Sequence, residues 1–258
     1  HYPAPDEKAR SVICLPGLTR NARDFRQLAT HLSTHPQKPR NVYCVDYRGR
    51  GLSQYDRNWR NYIPFIELID LLDKLAGSVI YSTQNLMEPA CEAQPGENLE
   101  SIAKRYNVPW KLLAKVNGIE DPQSLRPGER LKVIRGPFSA VISLEKRELT
   151  LMLNEAYAGR FPIGIGRDFP PQVGEYYVAE KVVDPTYRGN GRTIERGDPT
   201  NPLGQRWIGL GNQMGIHGTN DPRNIGRTDL AGSISLRDRD VDDVFDILSE
   251  GSKVVVKP

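Results

Sequence analysis

Two short stretches in the C-terminal half carry residue types suited to acyl transfer: Gly215-Ile216-His217-Gly218-Thr219-Asn220-Asp221-Pro222 and Leu230-Ala231-Gly232-Ser233-Ile234-Ser235-Leu236. His217 is the only histidine after His35, so it is the one candidate imidazole base there. Ser233 is a candidate nucleophile, and Asp221 or Asp229 is a carboxylate that could orient the ring, as in a Ser-His-Asp arrangement. A serine hydroxyl is essentially never ionised at neutral pH and needs a base within hydrogen-bond reach. Ala231 cannot be that base. The three cysteines, Cys14, Cys44 and Cys91, all precede these stretches, so no thiolate is available downstream. Their odd number and the lack of CxxC spacing speak against a zinc site and against a disulfide framework. No metal or cofactor is expected.

The elements that must position His217 and Ser233 read as β-structure. Short β-rich runs at 139–144 and 149–153 flank a Glu-Lys-Arg-Glu turn, and further strands are expected at 160–165, 174–179, 206–210, 234–236 and 253–256, bounded by Gly and Pro. One amphipathic helix is expected at 240–248. A mainly antiparallel sandwich over residues 136–258 accommodates all of them.

This region resembles the L,D-transpeptidases, bacterial cell-wall enzymes in which an Ile-His-Gly-Thr run leads into Ser-His-Gly-Cys-Ile-Arg-Leu. Further matches are Phe161-Pro162-Ile163-Gly164-Ile165-Gly166, the 170–173 run closing on Gly174-Glu175-Tyr176, and Asn201-Pro202-Leu203-Gly204 before Trp207. In the family the cysteine thiolate attacks a stem-peptide carbonyl and the adjacent histidine activates it. Here His217 and Gly232 keep their places in the motif, while Ser233 stands for the cysteine, Ala231 for the second histidine and Ser235 for the arginine that binds the substrate carboxylate. Arg227 and Arg237 are the candidate replacements for that arginine. The resemblance implies that the two motifs meet, with Ser233, His217 and Gly232 as the catalytic-position residues. It also implies stem peptides as partners. Two readings follow: a cell-wall-binding protein with a degenerate catalytic domain, or a serine-using acyltransferase.

Upstream, residues 91–135 read as β-α-α-β. There is a Pro95-Gly96 turn, a helix with Leu99, Ile102, Ala103 and Tyr106 on one face, and a second helix starting at Pro109. Asn117-Gly118 stops that helix, and a closing strand follows at 131–134. The stretch resembles a LysM module along its whole length, from Gln94-Pro95-Gly96-Glu97-Asn98 through Asn107-Val108-Pro109 to Leu125-Arg126-Pro127-Gly128-Glu129. The resemblance implies binding of peptidoglycan or another N-acetylglucosamine-containing glycan through Gly96, Glu97, Asn98, Asn117, Gly118 and Ile119. The local reading of the same residues is turn and cap chemistry, with Asn98 as an N-cap.

Residues 1–77 form a third piece. Buried strands are expected at 11–15 and 42–46, a helix capped by Asn21 with Asp24 in a box-like cap, and another helix through Phe65, Leu68, Ile69, Leu72 and Leu75. The β-α-β-α order implies a parallel pair. Leu15-Pro16-Gly17-Leu18-Thr19-Arg20-Asn21 and Asp46-Tyr47-Arg48-Gly49-Arg50-Gly51-Leu52-Ser53 resemble the N-terminal portion of α/β-hydrolases. The Gly-x-Ser-x-Gly nucleophile elbow occurs nowhere in the chain, so hydrolase activity is not expected. Residues 78–90 read as a linker. The expected fold class is therefore multidomain α+β: a partial α/β segment, a βααβ module and a β-sandwich.

With 258 residues, 38% apolar and 26% charged, the chain suits two or three ordinary domains. A formal charge of +3 from 35 basic and 32 acidic residues, evenly mixed, gives no basis for a nucleic-acid partner. No run reaches the ~18 apolar residues of a membrane-spanning helix, and no signal-like segment opens at His1. A bacterial cell-envelope location is therefore implied by the resemblance alone.

Overall fold

The computed structural model describes residues 1–6, 9–16, 21–47, 51, 53, 71–74, 76–82 and 89–258. Of the expected helix through Phe65, Leu68, Ile69, Leu72 and Leu75, residues 71–74 are helical, while Phe65, Leu68, Ile69 and Leu75 lie outside the described residues. So do Gly17-Leu18-Thr19-Arg20 and Arg48-Gly49-Arg50, which carry much of the hydrolase-like pattern. The chain divides into two compact units, His1–Leu71 and Leu72–Pro258.

In the first unit, strands β1 (Ser11–Cys14) and β2 (Asn41–Cys44) pair in parallel, residue 11 opposite 41 through 14 opposite 44. Helix α1 (Arg26–Ser33) lies in the crossover behind a 3₁₀ turn at Ala22–Phe25. Asn21 does cap that turn, but its side chain accepts from the Arg23 amide, the short reach a 3₁₀ start imposes. Cys14, Ala29 and Val42 are the buried apolar residues of the small core here, with Tyr2, Val12, Phe25 and Leu32 against them. Tyr2 forms a single antiparallel bridge to Val42.

Near its start the second unit has a π-type turn, Gly77–Tyr81. Strand β3 (Cys91–Glu92) pairs antiparallel with β4 (Arg130–Leu131), enclosing α2 (Leu99–Arg105) and α3 (Trp110–Asn117). Asn98 and Ser101 form a reciprocal capping box, which satisfies two amides at the start of α2. Gly118 ends α3 in the left-handed region at φ 65°. The closing strand is shorter than the expected 131–134.

Two five-stranded sheets follow. The first runs β7 (Ala156–Pro162), β6 (Glu148–Leu153), β5 (Phe138–Ser143), β16 (Lys253–Lys257), β9 (Gly174–Tyr177). In β5 and β6 every second residue is buried, so Phe138, Ala140, Ile142, Leu149, Leu151 and Leu153 all enter the core. The second runs β10 (Glu180–Val183), β13 (Arg206–Gly211), β14 (Met214–His217), β15 (Ile234–Ser235), β8 (Gly164–Ile165). One apolar cluster takes residues from both sheets, from the LysM-like helices and from α4 (Asp238–Ile247), whose Val241, Val244, Phe245 and Ile247 face inward. Among the described residues no helix is long and apolar enough to cross a membrane.

Three details differ from expectation. The strand expected at 160–165 divides, because Pro162 ends β7 and Gly164 joins the other sheet, where a β-carbon would sit 2.5 Å from Ser235 Oγ. Residues 214–217 form a fully buried strand as well as a motif. A hairpin of β11 (Tyr187–Gly189) and β12 (Arg192–Ile194) turns on Asn190-Gly191, both at positive φ as a type I′ turn requires.

Candidate functional site

His217 ends β14, and Ser233 immediately precedes β15. The two strands pair in parallel, Ile216 opposite Ile234 and His217 opposite Ser235, with the Leu236 amide donating to the His217 carbonyl at 2.8 Å. The loop between them is zipped to the segment after β8. The Gly166 amide donates to Ser233 O, Arg167 to Leu230 O and Phe169 to Gly232 O. The expected meeting of the two motifs is therefore a consequence of strand pairing.

Both nitrogens of His217 are engaged. The Ser233 amide donates to Nε2 at 2.9 Å, and Nδ1 lies 2.7 Å from the Gly218 carbonyl oxygen. An amide can only donate, so Nε2 is the acceptor and the ring proton sits on Nδ1, donated to Gly218. The ring is fully buried and stacks on the Trp207 indole, with centroids 5.9 Å apart. Burial pushes its pKa down to about 4, against the opposing pull of the Gly218 carbonyl and the Asp168 charge. The imidazole is neutral at pH 7, and its basic nitrogen is occupied by the backbone of the residue it would activate.

Gly232 sits at φ +90°, and a β-carbon there would lie 2.4 Å from His217 Nε2. Its amide donates to Asp168 Oδ2 at 2.9 Å. Asp168, absent from the sequence-based candidates, also accepts from Tyr187 Oη at 2.6 Å and Asn190 Nδ2 at 2.7 Å. Burial raises its pKa, but the donors from Tyr187, Gly232 and Asn190, helped by Arg167, hold the carboxyl below the usual range. Burial, then Asp168 itself, pushes the Tyr187 phenol up to about 12. Only the Asn190-Gly191 turn beside it left a sequence signal for this anchor.

Ser233 and Ser235 are fully buried or nearly so, and neither hydroxyl has a hydrogen-bond partner among the described residues. Asp221 and Asp229 do not orient His217. Asp221 is held by Arg223 in a bidentate pair, and Asp229 is exposed with Arg167 3.6 Å away. Arg237 occupies the N-cap position of α4, and the Arg227 amide and carbonyl tie the loop to Asn224 and Ile165. Beside the His217 ring, Phe169, Glu180, Tyr187, Arg188, Leu203 and Trp207 line a cavity of about 410 Å³ that Ser233 does not reach. Among the described residues no group of three His, Cys, Asp or Glu side chains could hold a metal.

The six candidate glycan residues belong to the turns around α2 and α3. Gly96 is exposed at φ +84°, and Glu97 accepts from Arg105 and from the Gln94 amide. Asn98 spends its side-chain oxygen on the cap. Asn117 accepts from the Lys132 amide and donates to the Leu113 and Lys132 carbonyls. Gly118 is exposed, and Ile119 is half-buried against the core.

Residues 137–256 match the L,D-transpeptidase catalytic domain family, and residues 92–133 match the LysM domain family. A putative L,D-transpeptidase, YkuD, of Bacillus licheniformis is 29% identical over 175 residues, covering 65% of this chain and 98% of that protein. The putative L,D-transpeptidase YqjB of Bacillus subtilis is 32% identical over 124 residues, 45% of this chain and 69% of that protein. Among solved structures, an L,D-transpeptidase of Mycobacterium tuberculosis aligns with a TM-score of 0.40 at 18% identity, over 47% of this chain and 57% of its own. The catalytic domain of an Enterococcus faecium L,D-transpeptidase aligns at 0.39 and 20% identity, over 47% and 97%.

Proposed function

The chain belongs to the L,D-transpeptidase family, and from that premise we propose that it is a peptidoglycan-binding protein of the bacterial cell envelope whose catalytic-type domain no longer turns over. The proposed organisation is a partial α/β segment at 1–77, a linker at 78–90, a LysM module at 91–135 and the transpeptidase-type domain at 136–258. Glycan binding is assigned to Gly96, Glu97, Asn98, Asn117, Gly118 and Ile119, and the family's stem peptides are the corresponding partners of the second domain.

The observation that carries the loss of turnover is the state of residue 233. Its hydroxyl is buried and unpartnered, and the nearest imidazole spends its lone pair on the Ser233 amide. General-base help contributes roughly 10²–10⁴ in rate, and a serine without it offers almost no anion. The position of Ser233 beside His217 is the one feature that favours a serine-using acyltransferase. Intact mass after incubation with a carbapenem separates the two readings. The native chain is expected to stay unmodified, while Ala231→His with Ser233→Cys and Ser235→Arg gains an acyl adduct. An adduct mapped to Ser233 in the native chain would establish the acyltransferase instead.

A further inference from the structure

The odd cysteine count argues against a disulfide framework, yet the register of the first unit brings two of the three together. Cys14 ends β1, Cys44 ends β2, and the parallel pairing sets them directly opposite each other. Adjacent strands run about 4.8 Å apart, inside the ~4.4–6.8 Å range of Cα separations that a disulfide bridges. Both side chains pack into the same small cluster with Ala29 and Val42, on the same face of the strand pair. Cys91, in the other unit, has the Arg105 guanidinium 2.9 Å from its sulfur.

We infer that Cys14 and Cys44 form a disulfide when the chain meets a small-molecule disulfide oxidant, linking the ends of β1 and β2 across the α1 crossover. Cys44 is the more exposed of the two and reacts first. Its thiolate attacks one sulfur of oxidised glutathione, the glutathione S–S bond breaks, and one glutathione thiolate leaves. The Cys14 thiolate then attacks Cys44 Sγ, the mixed disulfide breaks, and a second glutathione thiolate leaves. The two protons given up by the cysteines are taken up by the two departing glutathione thiolates, so two protein thiols are oxidised and one oxidised glutathione is reduced to two thiols. Burial first, then the adjacent Cys14 thiol, pushes the Cys44 thiol up, so the reaction is followed over hours. Such a bond would matter here, because among the described residues the crossover is held by a two-stranded parallel sheet with a small core.

The test uses the full chain, incubated with oxidised glutathione or with dithiothreitol, then denatured, alkylated and analysed by intact mass and non-reducing peptide mapping. The expected result is loss of two of the three free thiols, a Cys14–Cys44 crosslinked peptide, an alkylated Cys91 and no retained glutathione. In Cys14→Ser, which removes the resolving thiol, glutathione should instead remain on Cys44. Three alkylated cysteines after oxidation, glutathione persisting on Cys44 of the native chain, or a crosslink that involves Cys91 or a second chain would each overturn the inference.

Discussion

The loops at 96–98 and 117–119 and the loop at 231–233 all commit polar groups to holding the fold, but they differ in what remains. Asn98 caps α2 through its oxygen and stays exposed, and Gly96 and Gly118 are exposed at the surface. A sugar needs only reachable donors and acceptors, so a residue can serve the fold and a ligand together. At Ser233 the balance is reversed. Its hydroxyl is uncommitted but buried, and the one imidazole beside it is committed to the Ser233 amide. Catalysis needs a reactive atom that is free, reachable and activated at once; only the first condition is met. On the proposed reading, a cap residue can keep a ligand-binding role that a buried catalytic-position residue cannot.

If the 231–233 loop is now chiefly a structural joint, substitutions in it should show first in stability. The largest effect is expected for Gly232→Ala. Its φ of +90° is unfavourable for a β-carbon, which would also press on His217 Nε2 at 2.4 Å and Leu203 at 3.2 Å. Backbone strain of about 1–3 kcal/mol and overpacking of about 1–3 kcal/mol together suffice to unfold a marginal domain. Denaturant melts would show it; an unchanged midpoint would mean that the joint is softer than its contacts imply.

The second effect is a pH dependence. An unfolded histidine takes up a proton below about 6.5, whereas folded His217 resists down to about 4. The unfolded state therefore binds more protons in that window, and stability falls as pH drops through it. At about 1.4 kcal/mol per unit, native protein should lose roughly 2 kcal/mol between pH 6.5 and 5. His217→Gln should lose little over the same range. Urea melts at these pH values compare the two, and parallel slopes would mean that the ring is not held neutral.

Legibility in the sequence followed the same division. The order and spacing of His217, Gly232 and Ser233 were readable because a short motif fixes a loop, and Asn98 and Gly118 were readable because caps have strong residue preferences. Which nitrogen of His217 was spoken for was not readable, since it depends on a parallel pairing between strands separated by a loop. Asp168 was invisible for the same reason: its partners Tyr187, Asn190 and Gly232 come from two distant segments. The Asn190-Gly191 turn was a short-range hairpin signal that composition-level reading passed over. The break at Pro162 and Gly164 turned on which sheet each residue joins, a tertiary matter.

A smaller effect, of opposite sign, follows from the orphaned hydroxyl. Leaving a buried hydroxyl without a partner costs about 1–3 kcal/mol, and a thiol of similar shape behaves as a small hydrophobe. Ser233→Cys alone is expected to raise stability by about 1 kcal/mol. Equal or lower stability in a thermal melt would indicate that the serine oxygen is satisfied in solution.

The smallest change in stability should carry the sharpest information about binding. Asn and Ser are nearly equivalent N-caps, so Asn98→Ser should keep the amide of residue 101 satisfied and leave the melting temperature almost unchanged. It removes the side-chain amide nitrogen, which the cap does not use. If the exposed remainder of a capping residue serves the glycan, this variant should pellet several-fold less with insoluble cell-wall sacculi than native protein does, at the same stability. Native protein that stays in the supernatant would remove the binding reading altogether. Equal pelleting of native and variant would confine recognition to the other five residues. A loss of both stability and binding would mean that cap and contact cannot be separated, and the contrast with Ser233 would then be one of degree.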